Sequence, residues 1–454
     1  MKKFVFNAIV LAGCFSIIIN LAACKKSENT SAAGEFYIDG SEITISDNSD
    51  DSSYGSKTKG KSGSKKSKRS TKTEKSKKTS NKASGSGNKS GALTAHKYKN
   101  IAIKKASSAA IRCVGRPYIR KEGGLVFGWS GSMAEFVLNC EGNVTFRFES
   151  LKGSGDSTVR IFVDGKKNKT DSVIKGSCDV TAAQNLSKGE HLFKIVKITD
   201  CDTPPAVLCS IVACGELRSY APGSNKILIE AIGDSALTGD GIKYSGNIDI
   251  QKTSLPNKKY EDATLTYPYL AAEKLNADCY LMARNFAGIA ATYLVKTATV
   301  NGRRETVCDD ENGMFPVIYP RCFLSGSEEY DFSRRADVIV VDSGAVNADK
   351  NVLGDVLKNG KVGITRGDSV VSTVEFFNKL KEINPNAKII WSLGITGYSN
   401  DLKQYSEIVM RNLGGSNRGF YLLILPPSKR GLFPTESEHL AASQLLYKKI
   451  KEVI

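Results

Sequence analysis

The stretch that decides the fold is Ile227-Leu228-Ile229-Glu230-Ala231-Ile232-Gly233-Asp234-Ser235. Its first six residues form a run with no solvent face, which is typical of a central strand in a parallel sheet. A tight glycine turn ends the strand and presents a serine. Open α/β sheets carry their sites at the carboxyl ends of the strands, where a base can activate such a hydroxyl. The sequence therefore predicts a cleft at Ser235, with Gly233 and Asp234 beside it.

Strands and helices alternate from this stretch to the end of the chain. Over residues 225–454 we expect a doubly wound parallel sheet with helices on both faces. The helix expected at 372–383 has Ser372 as its predicted N-cap. The other predicted helices cover residues 267–275 and 436–454, and the predicted strands cover 227–232, 279–282, 338–341, 388–393 and 419–425.

The preceding segment, residues 98–221, has the pattern of an all-β domain. Runs at 134–138, 144–148, 159–163 and 191–196 are rich in β-branched and aromatic residues. Turn signals separate them, including Cys140-Glu141-Gly142-Asn143 and Asp164-Gly165. No long helical period interrupts the segment, so we expect a β-sandwich or jelly roll.

Residues 1–24 have the order of a secretory signal: Lys2 and Lys3, an apolar run over 4–20, and small residues before Cys24. A cysteine in this position resembles the bacterial lipobox, whose thiol is acylated, so we expect lipidation at Cys24. Leu11-Ala12-Gly13-Cys14 matches the same pattern, but only a short apolar run precedes it. One transmembrane helix is the alternative, and the apolar run is near the lower limit for it. The first hypothesis places the protein in the cell envelope, periplasmic or surface-exposed, and anchored to the membrane.

Residues 25–97 are dominated by Ser, Lys, Gly, Thr and Asn, so they offer little apolar surface to offset the entropy of ordering. We expect a disordered tether. Between Lys57 and Lys89, twelve lysines and Arg69 face a lone Glu74, so most of the formal net charge of +17 lies in this strip. Behind a lipoprotein signal, such a strip indicates anionic lipid or an acidic envelope polymer as partner, and not nucleic acid. A solvated, self-repelling spacer is the alternative.

The cysteines and histidines indicate neither a metal site nor a cofactor. After acylation of Cys24, nine cysteines remain, an odd number that cannot pair fully within one chain, and no CxxC occurs. Cysteines in apolar runs, such as Cys209 and Cys279, are expected as buried thiols. The histidines, His96, His191 and His439, are far apart in sequence and form no local ligand motif.

The stretch at Ser235, followed by Thr238-Gly239-Asp240-Gly241, resembles the first block of the SGNH/GDSL hydrolases, and is most similar to carbohydrate esterase family 2. The resemblance covers about residues 112–454. It implies an N-terminal jelly roll and a hydrolase domain that removes O-acetyl groups from polysaccharides, as in acetylxylan esterases. Further matching motifs include Trp129-Ser130-Gly131-Ser132, Val163-Asp164-Gly165, Gly189-Glu190-His191, Tyr267-Pro268, Tyr319-Pro320-Arg321, Asp331-Phe332-Ser333 and Ala336-Asp337-Val338.

The resemblance also implies site residues, and most of these are replaced. Ser235 matches the nucleophile, and its N–H is the first implied oxyanion donor. The second block implies the next oxyanion-hole positions: Phe286 stands where the family has a glycine, and Gly288 is the glycine that remains. In the third block, which begins at Gly344, Val346 replaces the asparagine donor, which Asn347 restores only if the loop is one residue longer.

In the last block the histidine before the proline is replaced by Phe433, and the acid three residues upstream by Arg430. The family's second, non-catalytic histidine falls at His439. A general base contributes typically 10² to 10⁴-fold, so its loss points to impaired catalysis.

Three hypotheses follow. The first is an esterase-like lipoprotein that keeps the cleft for glycan binding or scaffolding without the chemistry. The second is an active O-acetyl esterase with a rewired base, for which the nearby carboxylates are Glu436, Glu438 and Asp342. The third is a structural envelope spacer with no ligand.

Overall fold

The computed structural model describes residues 97–153, 155–220, 226–246, 258–300, 302–343 and 366–454. These residues fall within one compact unit of the chain, Thr73–Ile454. The signal segment, Cys24 and the tether lie outside the described residues. No helix within the described ranges is long and apolar enough to cross a membrane.

The first domain, as far as it is described, is a ten-stranded antiparallel sheet with the order β3-β4-β10-β5-β9-β6-β7. In addition, β1 pairs with β10, β2 with β5, and β8 with β6. The elements are β1 (Lys99–Ala102), a 3₁₀ helix (Lys105–Ala110), β2 (Ile111–Val114), β3 (Tyr118–Ile119), β4 (Leu125–Phe127), β5 (Met133–Ser150), β6 (Ser157–Val163), β7 (Lys166–Lys167), β8 (Ser172–Ile174), β9 (Ser177–Lys197) and β10 (Ala206–Arg218).

One bent strand turns this sheet into a sandwich. Phe136 and Phe146 are ten residues apart in β5, which would separate them by roughly 33 Å in a straight strand, yet their ring centroids are 5.7 Å apart. The β5–β9 register shifts between Cys140 and Val144, and such bulges bend a strand. Both rings then pack with Phe193 in one core. The β-sandwich prediction is confirmed, but the predicted turn at 140–143 is wrong: it is a corner inside one strand.

The Asp164-Gly165 turn is confirmed. Both residues have positive φ, 51° and 76°, and they join β6 to β7 with Val163 paired to Lys166. A two-residue hairpin loop with positive φ at both positions matches the twist of the strands it connects.

The second domain is built on a five-stranded parallel sheet with the order β12-β11-β15-β16-β17. Its strands are β11 (Leu228–Gly233), β12 (Asp278–Ala283), β15 (Val338–Asp342), β16 (Lys388–Leu393) and β17 (Phe420–Ile424), and a separate hairpin consists of β13 (Val295–Val300) and β14 (Arg303–Cys308). The helices are α1 (Ser235–Thr238), α2 (Tyr267–Lys274), α3 (Asp310–Gly313), α4 (Phe315–Ile318), α5 (Arg366–Ile383), α6 (Asn400–Leu413) and α7 (Glu436–Val453), with 3₁₀ turns at Lys258–Tyr260, Ala263–Leu265 and Gly415–Arg418.

Helices cover both faces of the parallel sheet, as predicted. Residues of α2 and α7 share one buried cluster with β11 and β12, and residues of α5 and α6 share the other. The strand order changes direction next to β11, between β12 and β15. In doubly wound sheets this switch point is where ligands bind, at the carboxyl ends of the strands. Ser235 lies directly beyond that end of β11.

The start that the sequence predicts for the helix at 372–383 is wrong. Helix α5 begins at Arg366, so Ser372 lies in its interior and is not an N-cap. Ser369 and Thr373 are one turn apart and both hydrogen-bond the Tyr405 hydroxyl, at 3.0 and 2.6 Å. This tertiary contact extends the helix over a segment whose sequence pattern is weak.

Buried arginines of the sandwich join the two domains. The guanidinium of Arg116 donates to the Glu230 carboxylate on β11 at 2.8 Å, and both side chains are buried. The Tyr319 hydroxyl donates to the other oxygen of Glu230 at 2.8 Å. Arg112 pairs with Asp278 on β12, and Arg160 pairs with Asp262 at 2.6 Å.

We predict that Arg116→Ala lowers the free energy of unfolding by about 3–5 kcal/mol, because it leaves the Glu230 carboxylate buried without its cation. The matched control is Arg147→Ala, whose pair with Asp179 is exposed on both sides and is worth about 0–1 kcal/mol. Urea unfolding measures both variants. Equal, small losses in the two would contradict the inferred role of Arg116.

Candidate active site

The turn that carries Ser235 is locked onto the neighbouring strand. The N–H of Asp234 donates to the Asp342 carbonyl at 3.1 Å. A Cβ at Gly233 would lie 2.7 Å from the same carbonyl oxygen, so only glycine fits. Ser235 then begins the short helix α1 and is almost completely buried. Gly233, Asp234 and Ser235 therefore form one rigid turn at the end of β11.

The hydroxyl of Ser235 faces a backbone donor on the next loop. The N–H of Phe286 donates to Ser235 Oγ at 3.4 Å. Phe286 has a φ of +60°, which favours glycine, so the phenylalanine keeps the backbone conformation that a glycine adopts easily. The Phe286 carbonyl accepts from the Tyr293 N–H and the Thr292 hydroxyl, both at 3.2 Å. These bonds aim the N–H of Phe286 at the serine, where an oxyanion would form.

Gly288 does not contribute a donor to this cleft. Its N–H donates to the Gly313 carbonyl at 3.0 Å, and its own carbonyl accepts from the Phe315 N–H at 2.8 Å. The expectation that Gly288 is an oxyanion position is therefore wrong, because its N–H is already bonded. Gly344, Val346 and Asn347 lie outside the described residues.

No histidine that the structure describes reaches Ser235. His439, on α7, accepts from the Tyr267 N–H at 3.2 Å, and burial lowers its pKa to about 3. His191, on β9, bonds the Asp164 carboxylate and the Ser187 carbonyl. Within the described ranges, the hydrogen-bond partner of Ser235 Oγ is the N–H of Phe286, which cannot accept a proton.

The residues at the implied histidine and acid positions are a buried phenylalanine, Phe433, and a hydrogen-bonded arginine, Arg430. Phe433 is buried directly before Pro434. The Arg430 guanidinium donates to the Tyr244 carbonyl at 2.8 Å and to the Gly241 carbonyl at 3.0 Å. Arg430 thus ties the loop that carries Phe433 to the loop that follows α1.

Two of the three nearby carboxylates are positioned for helix capping. Glu438 accepts from the Thr435 N–H at 2.7 Å and from the Lys429 N–H at 2.9 Å, and these bonds outweigh burial and lower its pKa to about 2. It forms a capping box with Thr435. Glu436 is exposed in the first turn of α7, where a negative charge is favourable. Neither carboxylate has a hydrogen bond with Ser235 within the described ranges.

Asp342, the third carboxylate, forms a buried pair with Asp234 at the ends of β15 and β11. Burial raises the pKa of Asp342 to about 7, against a hydrogen bond at 2.9 Å from the Tyr267 hydroxyl that favours the charged form. Burial and the Asp342 charge raise the pKa of Asp234 well above its usual range. The described contacts of the Asp342 side chain are with Tyr267, on α2, and not with Ser235.

A polar network beside the serine was not predicted. The Asn285 amide donates to Asp240 Oδ2 at 2.9 Å, and its carbonyl accepts from the Thr238 hydroxyl at 3.2 Å. Thr238 in turn donates to the Ser235 carbonyl at 2.9 Å. Lys258 lies among the carboxylates of Asp240, Asp200 and Glu261. The sequence signal was Asp240 itself, which lies in the Thr-Gly-Asp-Gly block. The network fixes Asn285 and therefore the adjacent N–H donor.

The described residues contain no group of three or more His, Cys, Asp or Glu side chains that could hold a metal ion. Eight cysteines within the described ranges are free thiols. Cys279 is buried, as expected, whereas Cys209 is only half-buried, so the expectation is wrong for Cys209. The cleft at the end of β11 consists of a buried serine, a backbone N–H donor and a supporting polar network. This fold and this serine turn resemble those of the two-domain SGNH/GDSL hydrolases.

Comparison with known proteins narrows the class. Residues 113–219 match the family model described as Carbohydrate esterase 2 N-terminal. No curated protein matches the chain. The predicted resemblance to carbohydrate esterase family 2 is confirmed by this match and by the fold.

Solved structures of family two carbohydrate esterases share the fold of both domains. One, from Clostridium thermocellum in complex with cellohexaose, is 19% identical with a TM-score of 0.61, and the match covers 75% of this chain and 98% of that one. The acetyl xylan esterase Est2A from the rumen bacterium Butyrivibrio proteoclasticus is 20% identical, with a TM-score of 0.61 and coverage of 78% and 98%. A third, from Cellvibrio japonicus, is 20% identical, with a TM-score of 0.63 and coverage of 79% and 98%.

We predict a pH dependence of stability from Asp342. Its pKa is raised in the folded state, so the folded protein keeps a proton that the unfolded chain has lost. Stability from this group therefore falls as pH rises from about 4, the unfolded value, to about 7. Asp342→Asn removes the titration and keeps an acceptor for Tyr267. The variant should gain stability over the wild type with rising pH, by at most about 1.4 kcal/mol per pH unit.

Urea unfolding between pH 4 and pH 8 measures this difference. The control is Glu375→Gln, an exposed carboxylate on α5, whose difference from the wild type should not change with pH. An Asp342→Asn difference that is constant across the range would show that Asp342 does not hold its proton in the folded state.

Proposed function

We propose that this protein is a lipid-anchored envelope protein of the carbohydrate esterase family 2 type whose Ser235 cleft binds glycan without hydrolysing esters. The observation that carries the proposal is the surroundings of Ser235 Oγ, where the described hydrogen-bond partner is the N–H of Phe286. That donor can hold an oxygen atom of a ligand, but it cannot take the serine proton.

The magnitude of the missing step supports binding over catalysis. A general base contributes about 10² to 10⁴-fold, and loss of a nucleophile–base unit costs on the order of 10⁶ in a serine protease. Phe433 and Arg430, at the positions of the base and its acid, are an apolar side chain and a cation. Neither is able to accept a proton from Ser235 at neutral pH.

The similar structures give the proposal its ligand class. One relative was solved in complex with cellohexaose. Another, 19% identical with a TM-score of 0.56, is described as a carbohydrate esterase whose active site "displays divergent catalytic and non-catalytic binding functions". Those statements concern the relatives. For this chain they favour a polysaccharide as the ligand of the cleft.

The anchor and the tether complete the proposal. Lys2, Lys3, the apolar run and Cys24 support export and lipidation, which would hold the protein at the membrane. The basic strip between Lys57 and Lys89 would lie against anionic lipid or an acidic envelope polymer. The folded part would then reach its glycan from the end of a tether of about seventy residues.

An active O-acetyl esterase is the second candidate, and one observation favours it. Phe286 retains a backbone donor at the place where the family resemblance implies an oxyanion donor, despite the loss of the glycine. An active esterase would then need a further group that accepts the Ser235 proton, in addition to the Phe286 N–H that donates to its hydroxyl.

The test is hydrolysis of 4-nitrophenyl acetate and of acetylated xylan by the purified protein and by Ser235→Ala. We expect the two to be indistinguishable and near background, because no base bonds the Ser235 hydroxyl within the described residues. Turnover that is abolished by Ser235→Ala would contradict the proposal and establish the esterase.

Phe433→His is the matched gain-of-function variant for the same assay. If the protein is inactive because it lacks the histidine, the Phe433→His variant should hydrolyse esters about 10²-fold or more faster than the wild type. Adding Ser235→Ala to this variant should remove the gain. A folded Phe433→His protein without any gain would show that the cleft lacks more than its base.

A further inference from the structure

A cavity lies where the two domains meet. It has a volume of about 300 Å³, which is at the lower end of the range for small-molecule sites. The sandwich contributes Met133, Glu135 and Lys194, and the α/β domain contributes Tyr269, Glu273 and Asp278.

This seam cavity is separate from the Ser235 cleft. Asp278 is the first residue of β12 and pairs with Leu228, the first residue of β11. Ser235 lies beyond the opposite end of β11. At about 3.3 Å per residue, a six-residue strand places the two sites roughly 20 Å apart.

Part of the cavity wall consists of charged side chains that form ion pairs with other protein groups. Arg112 donates to Glu135 at 2.6 Å and also to Asp278, which pairs in addition with Arg334 at 2.5 Å. These groups satisfy one another and form a fixed polar wall. A ligand gains little from them.

Three charged side chains of the wall remain available. Glu273, on α2, is open to solvent, and within the described part of the chain its carboxylate has no hydrogen bond or ion pair. Lys194, on β9, lies over the Phe162 ring at 4.4 Å, and its ammonium has no hydrogen-bond partner within the same ranges. The ammonium of Lys226 is exposed and has no partner within the same ranges. The cavity therefore offers one strong acceptor and two strong donors.

The lining residues decide the ligand class. Arg112, Lys194 and Lys226 are balanced by Glu135, Glu273 and Asp278, so the lining carries no net formal charge. A charged ligand would meet as many like charges as opposite ones. Hydroxyl groups both donate and accept, and the buried side chains of Met133 and Tyr269 offer an apolar surface for the C–H face of a ring.

We propose that the seam cavity binds one neutral sugar residue, with its hydroxyls on Glu273 and Lys194. The proposal does not depend on the function of the Ser235 cleft. It gives the protein a second glycan-binding site at the amino ends of β11 and β12, opposite the end that carries Ser235. Residues of both domains form this site.

Saturation-transfer NMR with the purified protein tests the site, using xylose and glucose as probes and glucuronate and glucosamine as charged counterparts. We expect millimolar binding of a neutral sugar. Glu273→Gln and Lys194→Met should each weaken it by about tenfold, since a hydrogen bond to a charged group is worth that much or more. Both side chains are on the cavity wall, and an unchanged thermal midpoint confirms that the variants fold.

The control is Glu375→Gln, which removes an exposed carboxylate of α5 outside the cavity and should leave sugar binding unchanged. Three results would overturn the proposal: no binding of either neutral sugar, tighter binding of a charged counterpart, or wild-type affinity in both Glu273→Gln and Lys194→Met. The last result would also place any observed binding elsewhere, for example in the Ser235 cleft.

Discussion

The buried pair of Arg116 and Glu230 is the contact on which the rest of the structure depends. Arg116 belongs to the sandwich, and its guanidinium lies 4.7 to 5.3 Å from the ring centroids of Tyr319, Tyr330 and Phe332. Glu230 belongs to β11, the strand whose end presents Ser235. Because a buried ion pair tolerates the loss of neither partner, the sandwich is fixed to the strand that carries the serine. The seam cavity, which both domains line, depends on the same attachment.

The fold was predictable because its sequence signals are local and repeated. An apolar run without a polar face marked β11, and strand runs alternated with helical patterns up to α7. The details that failed depend on tertiary contacts. The corner in β5 has the residues of a turn, Cys140-Glu141-Gly142-Asn143, but strand pairing with β9 and β10 continues through it. The early start of α5 depends on the Tyr405 hydroxyl, which no local pattern reveals.

The candidate site was predictable in its residue types and not in its geometry. The motif at Ser235 and the replacement of the histidine by Phe433 are visible in the sequence. The resemblance implied a damaged oxyanion hole because Val346 replaces the asparagine donor, and it placed Phe286 at the family's glycine. In the structure the backbone of Phe286 adopts a positive φ and keeps the N–H on the serine. Backbone donors are independent of side-chain identity where the conformation is enforced, here by Thr292 and Tyr293, so sequence comparison alone underestimates what the cleft retains.

Ser235 is held in an intact turn with a backbone N–H donor, and no base bonds its hydroxyl within the part of the chain that the structure describes. The most direct test is the reaction of the purified protein with a fluorophosphonate, followed by intact-mass spectrometry and peptide mapping. An activated serine forms a covalent adduct with such a probe, whereas an unactivated hydroxyl does not react appreciably. We expect no adduct on Ser235. A stoichiometric adduct that maps to Ser235 and is absent in Ser235→Ala would contradict it.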